Sequence, residues 1–412
     1  MSLARRSLLL APALIPALTT ALATAPRAAR AQAQTIRIGV LNDQSGPYRD
    51  DGGPTGAICV RQAVQEFTAG RDINVEVLVA DHQNKPDIGA GIARQWLDTG
   101  GVDAIVDVPT SSVALAVNNV CREKNKVMLN SGAATTDLTG AQCSPNTIHW
   151  TYDTYMLAKS TGGAMVKAGG DSWFFITANY VFGQQLQRDT TRFVTEAGGK
   201  VLGAIEYPFP ETTDFSSYLL QAQASGAKVL GLCNSGGDTI NCIKQAHEFG
   251  MMNKMKVAAM LFYNSNVHAV GLDIAQGLLM TETFYWDLND RTRAFMARIK
   301  DKTPNQWPNM VQAGDYASTL HYLKAVADMG VGAAKADGRA VVARMKAMPT
   351  DDDAFGQGTI RPDGRKIHPS YLLQAKTPAE SRGGWDGLKL VATTPADQAF
   401  KPMSEGGCAF LK

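Results

Sequence analysis

Two short segments carry residue types suited to holding an anion. Thr110-Ser111-Ser112 ends one apolar run and opens a helical stretch, and Gly132-Ala133-Ala134-Thr135-Thr136 follows the next run with residues small enough for close backbone approach. The first N–H groups of a helix have no intrahelical acceptor and sit at the positive end of its dipole. Hydroxyls beside them therefore suit a carboxylate. An ordinary N-cap is the competing reading, stronger at Ser111 than in the 133–136 loop. The loop NDQSGPY sets Ser45, Gly46 and Tyr48 directly after the first apolar run, which places them at the floor or rim of the same cleft, or packs Tyr48 into its own turn.

Catalytic arrangements are missing from the sequence. There is no GxSxG elbow, no HExxH pair, no phosphate-binding Walker loop and no GxGxxG fingerprint. The histidines at 82, 149, 247, 268, 321 and 368 are dispersed. Asp351, Asp352 and Asp353 open a stretch that hints at a calcium loop, yet Phe355 stands at its fifth position and Pro362 where the closing glutamate belongs, so it reads as a solvated hinge loop. No enzyme, metal or cofactor is expected. With 40 basic and 38 acidic residues mixed along the chain, net charge +2, there is no electrostatic footprint for nucleic acid or an anionic membrane.

The elements that position these loops alternate β-branched runs with amphipathic helical stretches, the grammar of a parallel sheet covered on both faces. Strands are expected at 35–42, 73–81, 103–108 and 126–131, with helices starting near Thr55, Pro86 and Ser111. A second unit repeats the pattern at 172–177, 200–207, 228–233 and 256–261. TIHWTYDTY, GLLMTETFYWD and DDDAFGQGTI would cross between the units, and helices over 291–302, 310–329 and 335–348 complete the first. SYLLQAK and GLKLVAT read as a β-rich addition to the second. The fold class is α/β: two doubly wound parallel-sheet lobes joined by three hinge crossings, with lobe 1 at 34–148 and 280–352 and lobe 2 at 149–279 and 353–412. Loops at the carboxyl ends of such strands form the cleft in which ligands sit.

Arg5 and Arg6, the apolar run from Leu8 to Ala25 and small-residue sites up to Ala33 mark residues 1–33 as a cleavable export signal, with the twin-arginine and general routes both open. Pro12 and Pro16 argue against a retained anchor, and no cysteine precedes Cys59, so the mature chain is expected free in the periplasm as a monomer. Six cysteines in an oxidising compartment invite pairing. Cys143, just before a crossing, and Cys408, in the tail, are the favoured pair, while Cys59, Cys121, Cys233 and Cys242 read equally as buried thiols.

IRIGVLNDQSGPY, NSGAATTDLTG and ITANYVFGQQL, in this order and spacing, resemble the branched-chain amino-acid type of ABC-transporter substrate-binding protein, the type I periplasmic binding fold. The resemblance runs from about Ile36 to about Phe400. It implies capture of a small solute between two lobes and delivery to a membrane permease, without chemistry on the ligand. Members take branched-chain amino acids, amides and urea, or aromatic carboxylates, and the tyrosines and tryptophans here resemble the aromatic-acid members. A ligand-sensing accessory protein is the rival class. By resemblance, Ser112, Ala133 and Thr135 grip the ligand carboxylate, with Ser111 and Ala134 beside them, and Tyr180 presents a ring. Phe262 and Tyr263 face the distal end, where an amino-acid receptor would need an acid. Asn234, Gly236 and Asp238 follow another strand, Asp238 serving as N-cap or ligand contact. Asp153 caps a helix or meets a ligand hydroxyl, and Trp150, Tyr152, Tyr285 and Trp286 line the pocket base or pack the hinge.

Overall fold

The structure, a computed structural model, describes residues 35–411. The export signal expected at 1–33 lies outside the described residues. The first sheet comprises β1 (Thr35–Asn42), β2 (Asn74–Asp81), β3 (Ala104–Asp107), β4 (Val127–Asn130) and β5 (Thr147–His149), all parallel, in the order β2-β1-β3-β4-β5. Successive strand side chains point to opposite faces, so a strand covered on both sides is apolar throughout. Ile36, Ile38 and Val40 of β1 enter one core with α1 (Gly53–Thr68), while Leu41, Ile105 and Met128 enter the other with α2 (Pro86–Asp98) and α3 (Ser111–Glu123).

The second sheet holds β6 (Ser172–Ala178), β7 (Lys200–Tyr207), β8 (Val229–Cys233), β9 (Lys256–Ala259) and β10 (Leu279–Glu282) in parallel. Beyond β10, β14 (Ser370–Ala375) and β15 (Leu388–Thr394) add antiparallel strands, as expected of the C-terminal segment. The helices α4 (Val181–Glu196) and α5 (Gly236–Glu248) follow β6 and β8. The chain returns to the first lobe as α6 (Met310–Met329), whose Asn309 cap accepts the N–H groups of Val311 and Gln312. The last helix of that lobe is α7 (Gly338–Ala347).

Three expectations are corrected. The segment Asp351 to Ile360 does not cross; it folds back as the hairpin of β11 (Thr350–Asp352) and β12 (Gly356–Ile360), because Asp352 Oδ1 accepts the N–H groups of Ala354 and Phe355 and closes a turn. Asp351 and Asp353 pair with Arg291 rather than standing free in solvent. With β13 (Lys366–Ile367) the hairpin forms a small third sheet against α6 and α7, so 353–367 lies beside first-lobe helices, and the third crossing falls between β13 and β14. A lobe boundary between 279 and 280 would cut β10, which belongs whole to the second sheet through its pairing with β9 and β14.

The disulfide Cys143–Cys408 is formed, with Cα atoms 5.5 Å apart. It holds the tail where Arg365, fully buried, stacks over Phe400 and donates to the carbonyls of Thr151 and Tyr152 at the first crossing. The other four cysteines are buried thiols.

Candidate functional site

Every parallel strand that ends at the junction of the lobes delivers a loop there. A small cavity of about 10 Å³, room for about one water, is lined by Tyr48 and Asp51 after β1, Pro109 after β3, Gly132 and Ala134 after β4, and Tyr152 on the first crossing. From the second lobe come Tyr180 and Phe182 after β6, Ser235 after β8 and Leu261 after β9. The β1 loop is shaped by one carboxylate: Asp43 accepts the N–H groups of Ser45, Gly46 and Tyr48 and the amide of Asn84, which turns Tyr48 into the cleft. On the other wall, Asp107 and Val108 at the end of β3 hold φ of 77° and 54°, a left-handed conformation that bulky residues seldom adopt.

The lobes touch directly. Tyr48 and Tyr180 join hydroxyls at 2.7 Å, and Phe209 stacks on both rings, with centroids 5.2 and 4.6 Å away. Gly237 donates its N–H to Pro47 O at 3.0 Å, Ser235 Oγ donates to Asp51 Oδ2 at 3.0 Å, and Thr135 Oγ1 donates to Gln185 Oε1 at 2.9 Å. Gly236, at φ 58°, makes this approach possible: a Cβ there would lie 2.3 Å from Pro47 O. The remaining space is too small for an organic solute, so binding requires the lobes to part and these aromatic contacts to yield.

Among the described residues, no cationic side chain lines this cavity. Burial raises the Asp51 carboxyl well above the ordinary carboxylate range, opposed by Ser235 and Asn266, and pushes Asp238 up to about 7 against the Tyr207 hydroxyl that it accepts. The lining side chains bring the hydroxyls of Tyr48, Tyr152, Tyr180 and Ser235, which leaves the site with aromatic walls and one carboxyl.

A family model described as periplasmic binding protein matches residues 35–383, most of the chain. The chain belongs to the periplasmic binding protein family. A periplasmic binding protein from Burkholderia mallei shares 45% identity over 92% of this chain and 100% of its own, with a TM-score of 0.87. A branched chain amino acid ABC transporter periplasmic ligand-binding protein from Burkholderia xenovorans LB400 shares 37% identity over 92% and 100%, TM-score 0.79. A solute-binding protein of an ABC transporter from R. palustris, solved with benzoate, is 19% identical over 91% and 99%, TM-score 0.78, a likeness of fold. None of the curated proteins matches. The protein is thus a periplasmic solute-binding protein of the ABC-transporter type, with the two-lobed type I fold. Its family and neighbours are substrate-binding proteins rather than enzymes, and no helix among the described residues is long and apolar enough to cross a membrane.

Within this periplasmic binding protein, Tyr48, Ala134, Tyr152 and Tyr180 reach the cavity. Tyr263 stands just behind it, its hydroxyl 3.0 Å from that of Tyr152, and Gly236 sits at the lobe contact. Ser111 is buried with an unpartnered Oγ at the start of α3, and Ser112 is half-buried beside it. The other expected residues do not line the cavity and make contacts within the protein. Ser45 is exposed and donates to Asp81. Ala133 is held in the core, its N–H on Asn130. Thr135 caps a turn through Asp137 N and meets Gln185. Asp153 caps the helix from Thr154 and faces Arg365 at 3.9 Å. Asn234 accepts from Thr239, and Phe262 is buried in the second-lobe core. Asp238 lies in the first turn of α5, whose cap position is Ser235. Trp150 packs against His321 in the hinge, while Tyr285 and Trp286 pack together near Trp385.

Sequence reasoning missed Asp51, Pro109, Phe182, Ser235 and Leu261. The run Asp50-Asp51-Gly52-Gly53, which starts three residues past Pro47, signals a pair of acids ahead of glycines in a strand-end loop without telling which acid turns inward.

Proposed function

We propose that this protein captures an aromatic carboxylate between its lobes and delivers it to an ABC permease. The observation that carries this reading is the wall of the cavity: Tyr48, Tyr152, Tyr180 and Phe182, with Phe209 stacked behind, surround a space that no cationic side chain enters. Stacked aromatics suit a planar ring. The carboxylate end lies towards Gly132 and Ala134 and the first turn of α3, where Ser111 and Ser112 bring hydroxyls and helix N–H groups. Ligand bridges both lobes and so favours the closed arrangement, which the permease reads. The receptor acts as a monomer in the periplasm after its export signal is removed.

The second reading, a branched-chain amino-acid receptor, is favoured by one observation, the acid Asp51 in the cavity, and fits the branched chain amino acid ABC transporter protein of B. xenovorans. A thermal-shift screen of the mature protein against benzoates, leucine-like amino acids, amides and urea separates the two, since a binder raises apparent stability by mass action. Stabilisation by benzoates at micromolar to millimolar concentration is expected. Stabilisation by leucine-like amino acids alone would replace the first reading with the second.

A further inference from the structure

Asp51 lines the interlobe cavity, is 3% exposed, and uses only one of its two carboxyl oxygens. Oδ2 accepts the Ser235 hydroxyl from the opposite lobe at 3.0 Å, while Oδ1 has no hydrogen-bond partner. Of the groups around it, Tyr152 OH donates to Gly132 O, Ser235 serves Oδ2, Tyr48 and Tyr180 bond to one another, and the Asn266 amide interacts with the carboxyl without closing a hydrogen bond to Oδ1. A buried polar atom left without a partner costs free energy that a well-placed donor recovers, and the recovery is larger when the acceptor is a carboxyl. We infer that Asp51 sets specificity: its free Oδ1 takes a hydrogen-bond donor of the solute, so the cleft selects acids that also carry a hydroxyl or ammonium group. This rests on the cleft assignment above and narrows the solute class within it.

The position of Asp51 makes the selection depend on closure. Its loop belongs to the first lobe, and Ser235 reaches it only when α5 and the second lobe have swung in, as the Gly237 to Pro47 bond at 3.0 Å records. In the parted form both oxygens face water and discriminate little. In the closed form Oδ2 is fixed by Ser235 and Oδ1 must find its donor on the solute. A solute lacking one leaves the oxygen stranded, and the loss appears as a faster release.

Calorimetric titration of the full mature chain with two matched pairs tests this, benzoate against 4-hydroxybenzoate and 4-methylpentanoate against leucine. Within whichever pair binds, the donor-bearing member is expected to bind tighter by about 10-fold or more. Asp51→Asn is expected to bring the two members within about threefold of one another, and a melting curve of the variant confirms that it is folded. Equal affinities in the unmodified protein, or a preference that persists in Asp51→Asn, overturns the inference while leaving the cleft assignment intact. Binding of the aliphatic pair alone, with the preference lost in Asp51→Asn, sustains Asp51 and overturns the aromatic reading. Binding of neither pair overturns both.

Discussion

Tyr48 and Tyr180 meet hydroxyl to hydroxyl at 2.7 Å, one from the loop after β1 and the other at the mouth of α4, and this contact ties the lobes across the cleft. Both rings also stack on Phe209, so Tyr180 contributes a hydrogen bond and an aromatic face to the closed arrangement. Together these are worth on the order of 1 to 3 kcal/mol. When solute enters, the Tyr180 ring exchanges these contacts for contacts with the solute, so Tyr180→Ala is expected to weaken binding by about 10-fold or more, with little change in melting temperature because the side chain is only half-buried at the cleft. Unchanged affinity by calorimetry would remove Tyr180 from the cleft wall.

Gly236 tests closure from the other side. A Cβ at this residue would sit 2.3 Å from Pro47 O and 3.1 Å from Asp51 Oδ2, and its φ of 58° adds local strain. Gly236→Ala is therefore expected to keep the lobes apart while each remains folded. Small-angle scattering with a saturating ligand should show contraction for the unmodified protein and less for the variant, with affinity down about 10-fold or more. A variant that contracts normally would show that the lobes meet elsewhere.

The lobes and their strands were legible because parallel strands covered on both faces are apolar at nearly every position, and β1, β3, β4, β6 and β8 read that way. The crossing at Asp351 to Ile360 was misread because a β-rich run does not announce its partner; the side-chain turn at Asp352, which folds it back on itself, is a local bond of one oxygen. In the cleft, tyrosines at strand ends were found, while Thr135, Asp153 and Asn234 were not separable from ligand contacts, since a capping oxygen and a binding oxygen are the same residue types. Asp51 was missed for the complementary reason. Nothing in Asp50-Asp51 tells which acid turns inward, and only the fold places Asp51 at 3% exposure beside an exposed Asp50.

The Cys143–Cys408 bridge closes a span of 265 residues and fixes the tail at the hinge, where Arg361 holds Lys401 O and Arg365 stacks on Phe400. A crosslink over so long a span removes much unfolded-chain freedom. Cys408→Ser is expected to lower unfolding free energy by roughly 2 to 5 kcal/mol in urea titrations. Solute affinity should change by less than about threefold, since neither cysteine reaches the cavity. A large loss of affinity would mean that the tail sets the hinge angle as well as the stability.

Asp107 and Asp315 provide the pH test. Both are fully buried, Asn42 donates to Asp107 Oδ2, the other three oxygens close no hydrogen bond with other described residues, and the two carboxyls interact with one another and Asp315 with Ser131, an arrangement that one shared proton would stabilise. Gly52, Gly56 and Gly132 pack against them closely enough that a Cβ at each would fall 2.4 to 2.7 Å from a carboxyl oxygen, which leaves no room for a counter-ion. Burial raises both above the ordinary value of 3.8; repulsion by Asp107 adds to it at Asp315, while at Asp107 the hydrogen bonds with Asn42 and Asp315 oppose it. The folded pair thus keeps a proton that the unfolded carboxyls release. Its contribution is fully present below about pH 4 and is lost as pH rises through the folded value, at up to about 1.4 kcal/mol per pH unit. Other buried acids such as Glu282, pushed up to about 8, slope the same way, so the decisive comparison is with Asp315→Asn, whose amide can donate to Asp107 at any pH. The variant and the unmodified protein are expected to melt alike near pH 5, and the variant to melt higher at pH 9. Parallel melting profiles over that interval would mean that the pair does not hold the shared proton.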